Sequence, residues 1–221
     1  RSTPLYSSAA SDVYKRQALK TERKGVGMFD IKVIGRAAHA GNDPQNGVSA
    51  IQELSQQVLI LHRLNNLETG TTVNVGVVEG GTVRNQIAPE ARALVDIRVA
   101  TPSEGTRISS IINGLTPIHP EAHIEIIGGM NRQPLERTPQ IAALFNDASD
   151  LATPLGIELL EARVGGGSDA QFIAEVVIPV LDGLGGVGEG PDADHEYVFL
   201  QSITQRTALM VSLLMNLKAC R

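Results

Sequence analysis

The chain has 221 residues, 42% of them hydrophobic and 19% charged, a balance that excludes a disordered protein and allows one large or two small domains. The formal net charge of −5 argues against nucleic acid or an acidic membrane as the main partner. A single cysteine, Cys220, excludes an internal disulfide and any multi-cysteine metal site, so a metal here would need His, Asp and Glu.

Residues 1–17 are small and polar, carry no period of 3.6 or 2, and read as a non-native tail. No apolar run approaches the length of a membrane span and no secretory pattern is visible, so a cytoplasmic location is expected.

From Gly25 the patterning sharpens. Residues 28–34 (MFDIKVI) alternate apolar and polar, which predicts a half-buried strand. Val48, Ile51, Leu54, Val58, Leu61 and Leu64 recur at three and four, which predicts a helix within 46–64. Alternation at 71–78 and 90–99 predicts two more strands. Thr101-Pro102-Ser103-Glu104 opens a second helix to about 115, and 123–127 (HIEII) predicts a fourth strand. The order β-α-β-β-α-β is that of a ferredoxin-like α+β domain, expected over 18–133.

Beyond Pro134 helices are predicted at 139–151, 168–175 and 202–217, with strands at 158–162 and, buried, at 176–181 (VVIPVL). Alternating helices and strands imply a parallel sheet, yet two strands cannot form a stable one. Residues 134–221 are therefore expected to be the C-terminal part of a larger α/β domain.

Five places carry candidate chemistry. His39, between small residues in Ala37-Ala38-His39-Ala40-Gly41, suits a donor to a developing oxyanion or a loop histidine bonded to backbone. Asn85, in the Gly80–Pro89 connection, suits a carboxylate or carbonyl ligand, or a plain solvated loop. Arg132, where the fourth strand ends, can grip a carboxylate or pair with a surface acid. Gly165-Gly166-Gly167, ahead of Ser168 and a helix, is an anion cradle or a tight turn. It lacks the lysine of a phosphate loop and the Gly-x-Ser-x-Gly frame of a hydrolase elbow. Asp192, Asp194, His195 and Glu196 offer hard ligands for a divalent metal, though one loop rarely closes such a site. His62, His119 and His123 read as structural.

The ordered set Gly35-Arg36-Ala37-Ala38-His39-Ala40-Gly41, Gly80-Gly81 with Asn85 and Pro89, Asp96-Ile97-Arg98, Gly165-Gly166-Gly167-Ser168-Asp169 and Glu196-Tyr197-Val198 resembles the zinc aminoacylase and carboxypeptidase G group, family twenty of the metallopeptidases. The resemblance spans about 20–217. It implies a ferredoxin-like lid and dimerisation domain inserted into a zinc-binding α/β domain, in an amidohydrolase that cleaves an amide bond beside a free carboxylate. The substrate would be an acyl-amino acid or short peptide. It implies that His39 reaches the partner subunit's site as oxyanion donor, and that Asn85, Arg132 and Gly165, Gly166 and Gly167 hold the substrate carboxylate. It further implies two divalent metals, zinc first, with cobalt or manganese as alternatives. Two departures stand out. The family's upstream His-x-Asp motif, Glu-Glu pair and general base have no counterpart here, so the chain is expected to be an N-terminally truncated fragment, inactive alone. The last metal ligand, expected as His, falls on Asp192, with His195 three residues later. A non-catalytic dimerisation or amino-acid-binding module remains the alternative.

Overall fold

The computed structural model describes residues 18–190 and 193–216, which form an α+β chain of two compact units. Residues 25–133 form one; residues 18–24 together with those from 134 onward form the other.

The first unit runs β2 (Gly25–Ile34), α1 (Ala50–His62), β3 (Thr72–Gly80), β4 (Glu90–Val99), α2 (Pro102–Asn113) and β5 (His123–Arg132). Its sheet has the order β3-β4-β2-β5 with every neighbouring pair antiparallel. Alternation explains the layering, because one side of each strand feeds a single core. Phe29, Ile31, Val33, Ala93, Val95 and Ile97 pack there against Leu54 and Leu61 of α1 and Ile108 and Ile112 of α2. The opposite face carries cross-strand ion pairs, Arg92 with Asp30 and Lys32 with Glu90.

Both helices start where capping chemistry places them. The Ser49 hydroxyl accepts the Gln52 N–H and the Thr101 hydroxyl accepts the Glu104 N–H, with Pro102 in the first turn. Residues 46–49, expected within the first helix, instead form the end of a 3-10 turn and the cap. β5 continues five residues past its predicted end. Gly128 and Gly129 interrupt the alternation without breaking the strand: a Cβ on Gly128 would lie 2.1 Å from the Met28 carbonyl oxygen. Only glycine allows that approach, at φ 134°. Buried Glu53 clamps the connection into β5, accepting from Gln57 and from the Ile118 and His119 N–H groups.

The second unit pairs β1 (Ala18–Arg23) in parallel with β6 (Leu160–Val164). Around them lie α3 (Pro139–Ala152), α4 (Ala170–Glu175), α5 (Leu200–Asn216) and a short antiparallel pair, β7 (Gly188–Glu189) with β8 (Tyr197–Val198). Leu19, Leu144, Ala148, Leu181, Leu184, Leu209 and Leu213 fill its core.

Two expectations are corrected here. Residues 18–24 belong with this unit and not with the lid, because β1 is laid against β6. The segment 176–181 is no strand. Val176 and Val177 are 66% and 90% exposed, Val177 sits at φ 60°, and Pro179 lacks an N–H for a ladder. Only Val180 and Leu181 are fully buried, and the adjoining Asp182 meets β1 through the backbone of Lys20. No helix among the described residues is long and apolar enough to cross a membrane.

Lys20 is buried on β1, and that burial, with Arg23 and Arg206 nearby, pulls its ammonium down to about 8 despite the attraction of Asp182. The folded lysine thus releases its proton at lower pH than an ordinary lysine at 10.5. Between those values the unfolded chain binds more protons, so stability rises with pH across the window. The urea midpoint of this unit is expected to climb from pH 7.5 to 9.5 in the parent chain, as roughly 1 kcal/mol or more accumulates. The profile flattens in Lys20→Met, and an equally steep climb in the variant removes Lys20 as its source.

Candidate functional site

In the first unit two loops are laced together. The Gly35 N–H donates to the Pro89 carbonyl, Ile87 to Ala38, Ala40 to Asn85, and Ala50 to Ala88. Small residues make this possible. A Cβ on Gly35 would lie 2.1 Å from the Val48 carbonyl oxygen, and one on Gly47 would lie 2.3 Å from the Ile87 side chain.

His39 sits exposed on this double loop. Its Nδ1 accepts the Gly41 N–H at 3.2 Å and the Asn42 N–H at 3.1 Å, while its carbonyl accepts the Asp43 N–H. An imidazole nitrogen that accepts carries no hydrogen, so the neutral ring is protonated at Nε2. The loop therefore leaves Nε2 as the ring nitrogen that can donate, on an exposed residue. Asn85 stands beside it, since its carbonyl accepts from the residue that follows His39. Its side chain is exposed on the same connection.

Arg132 lies elsewhere. It ends β5 opposite Val26, whereas the Asn85 connection leaves the sheet beside Ile34, at the other end of β2. Eight residues of strand separate those ends, about 26 Å. Arg132 donates to the Asn131 side-chain oxygen at 2.5 Å and is half-buried. One copy of the sheet thus brings His39 and Asn85 together and holds Arg132 far from both.

In the second unit the glycine turn 165–167 follows β6 and is exposed along its length. Beneath it is a buried polar network that the sequence reading did not single out. The Asp182 carboxylate accepts from Arg23 Nε at 2.6 Å, from the Ser168 hydroxyl at 2.6 Å and from the Gly183 N–H at 2.6 Å. Arg23 Nη1 donates to the Gly166 carbonyl at 2.7 Å. Ser168 Oγ also accepts the Ala170 N–H, and Gln171 bridges the Ser168 N–H to the Lys24 carbonyl. Burial pushes the Asp182 carboxyl up, but Arg23 and the donors around it outweigh that and hold it below its ordinary range. The signal available in the sequence was an acid closing an apolar run, Val180-Leu181-Asp182, which marks a charge carried into the interior.

His195 is exposed, and its ring lies over Gly190, where a Cβ would come within 2.9 Å of Cδ2. Asp194 and Glu196 flank it; Asp192 falls outside the described residues. Among the described residues no three His, Cys, Asp or Glu side chains cluster to hold a metal ion. His195 is therefore not joined there by the further ligands that a metal centre requires.

Residues 21–116 match the family described as Peptidase dimerisation domain, M20_dimer. Carboxypeptidase G2 of Pseudomonas sp. (strain RS-16) is 28% identical over 207 residues, 92% of this chain and 50% of its own length. The indole-3-acetyl-aspartic acid hydrolase of Enterobacter agglomerans is 38% identical over 74 residues, 33% of this chain and 17% of its own. Among solved structures, aminopeptidase PepT of Bacillus cereus ATCC 10987 superposes with a TM-score of 0.73 at 20% identity, covering 94% of this chain and 55% of its own, a likeness of fold. The chain spans about half the length of the carboxypeptidase G2 it matches. The chain thus carries a match to the M20 peptidase dimerisation domain over residues 21–116 and is similar to a carboxypeptidase over nearly its whole length.

Proposed function

We propose that this chain supplies the lid and the glycine turn of an M20 amidohydrolase that cleaves an amide bond next to a free carboxylate, of the glutamate-carboxypeptidase or N-acyl-amino-acid-deacylase kind. Residues 25–133 are its ferredoxin-like lid and 134–221 the C-terminal segment of its α/β catalytic domain. The observation that carries the reading is the tautomer of His39: two backbone N–H groups occupy Nδ1, so Nε2–H is the group left to donate. A donor held this way before the reaction stabilises an oxyanion without reorganising as charge develops.

The proposed assembly is a homodimer, which the match to a dimerisation domain supports. In one copy Asn85 and Arg132 lie toward opposite ends of β2, ends about 26 Å apart, so a single substrate carboxylate would take both only when two copies contribute. The edge strand β3, with exposed Val77 and Val78, is a surface on which a second copy can align. The glycine turn 165–167 gives that carboxylate backbone N–H donors. A divalent metal, zinc or else cobalt or manganese, would polarise the scissile carbonyl. Asp192 and His195 are the ligands this chain would offer, with the remainder coming from outside the described residues.

Two measurements test the reading. In this chain, long-range nitrogen–proton correlation spectra of the neutral His39 ring are expected to show the hydrogen on Nε2. A ring protonated at Nδ1 is incompatible with the proposed role. In an assembled enzyme carrying this chain, His39→Ala is expected to lower kcat by about 10²–10³-fold with little change in KM, as loss of a transition-state donor does. An unchanged kcat would favour the second reading, a non-catalytic dimerisation or amino-acid-binding module. The family match over residues 21–116, which is to a dimerisation domain, speaks for that module.

A further inference from the structure

Packing does not explain Gly165 and Gly166 of the 165–167 turn. A Cβ on Gly165 would meet nothing within 4 Å, and one on Gly166 only Arg23 Nη1 at 3.8 Å. None of the three has the positive φ that demands glycine. Space above the turn is therefore open, and the chain there is free to adopt more than one conformation unless something holds it.

Arg23 supplies the hold. It is 6% exposed, and its Nη1 donates to the Gly166 carbonyl at 2.7 Å from beneath the turn. In a trans peptide the C=O of one residue and the N–H of the next point to opposite sides. A Gly166 carbonyl drawn inward to Arg23 thus turns the Gly167 N–H outward, and that N–H has no acceptor among the described residues. Two of the guanidinium nitrogens are committed inward, Nε to the fully buried Asp182 and Nη1 to Gly166, and Arg23 as a whole is buried. Asp182 is in turn fixed by the Ser168 hydroxyl and the Gly183 N–H.

We infer that Arg23, anchored by Asp182, is a positioning residue that locks the Gly166–Gly167 peptide and so aims the Gly167 N–H at an incoming carboxylate. This rests on the reading above that the turn receives the substrate carboxylate, and it names the donor atom and the residue that orients it. Arg23 acts through the peptide plane and not by charge, because Asp182 neutralises it in place. Without Arg23 the two glycines sample the flipped peptide, in which a carbonyl oxygen faces the carboxylate and repels it.

The test uses isotope-labelled samples of this chain and N-acetyl-L-glutamate as probe, with its dimethyl ester as the control lacking carboxylates. In the parent chain the Gly167 amide resonance is expected to move with the probe and to stay with the ester. Arg23→Lys keeps a cation beside Asp182 but loses the second N–H that reaches Gly166. It is expected to leave the resonances of Leu19, Leu181 and Leu209 in place, broaden those of Gly166 and Gly167, and weaken the probe about tenfold. A Gly167 amide indifferent to the probe in the parent chain sinks the carboxylate reading and this inference with it. A responsive Gly167 with equal affinity in Arg23→Lys overturns the positioning role alone and leaves the carboxylate reading standing. A measurement without any variant guards against a substitution that fails to fold. The amides of Gly166 and Gly167, though exposed glycines, are expected to show backbone order near about 0.85, and values below about 0.6 overturn the lock.

Discussion

An ion pair closed off from solvent, Arg23 Nε on Asp182 at 2.6 Å, is the constraint around which the second unit is arranged. Removing two charges from water is costly, and a buried pair recovers that cost only when the remaining donors and acceptors are also satisfied. Here Ser168, Gly183 and the Gly166 carbonyl do so. The partners come from sequence positions 159 residues apart. The pair therefore joins β1, which precedes the inserted unit, to the turn and the 182–183 corner that follow it. The parallel ladder of β1 with β6 and the paired backbone groups of Lys20 and Asp182 give the same join its register.

The first unit is governed differently, by close approach of backbone. Glycine at 35, 47 and 128 stands where a Cβ would strike a carbonyl oxygen or the Ile87 side chain. At 35 and 47 the consequence is chemical as well as structural. The loops that bear His39 and Asn85 can share a ladder of hydrogen bonds only because nothing projects between them. That ladder fixes the loop from which Gly41 and Asn42 donate to Nδ1. Small residues beside the histidine thus act on the ring through the backbone they bring near.

What the sequence made legible follows the same division. The six elements of the first unit were readable because its strands alternate between a wet and a dry side, its first helix carries an apolar stripe and its second opens on the capping Thr101. β1 was not readable. Its residues Lys20, Thr21 and Arg23 are buried polar groups, so ALKTER shows neither alternation nor an apolar run. The opposite error befell 176–181, whose apolar string promised a strand although Val176 and Val177 lie outside the core. Hydrophobic pattern reports burial well where polar side chains stay in water. It fails where a network such as Arg23, Asp182 and Ser168 carries them inside. The site divides likewise: the glycine turn announces itself by composition, whereas the pair that steadies it is visible only once distant segments meet.

The placement of Asn85 and Arg132 shows why residue type cannot settle a binding site. Either side chain suits a carboxylate, one through its amide donors and the other through a two-pronged guanidinium. Read along the chain, they looked like two hands of one grip. The sheet register puts them at opposite ends of β2, a separation that no rotamer of arginine bridges. Strand order decides this, since β5 enters beside Ile34 and leaves beside Val26, while the β3–β4 connection turns at the Ile34 end. Convergence on one ligand then requires a symmetry operation, and a two-fold axis is the simplest that returns one copy's Asn85 end toward another copy's Arg132 end. A site assembled that way is shared by construction. On the proposed reading, the edge strand β3 and the loop that carries His39 belong to one arrangement, and a change at either acts on both sites of the pair.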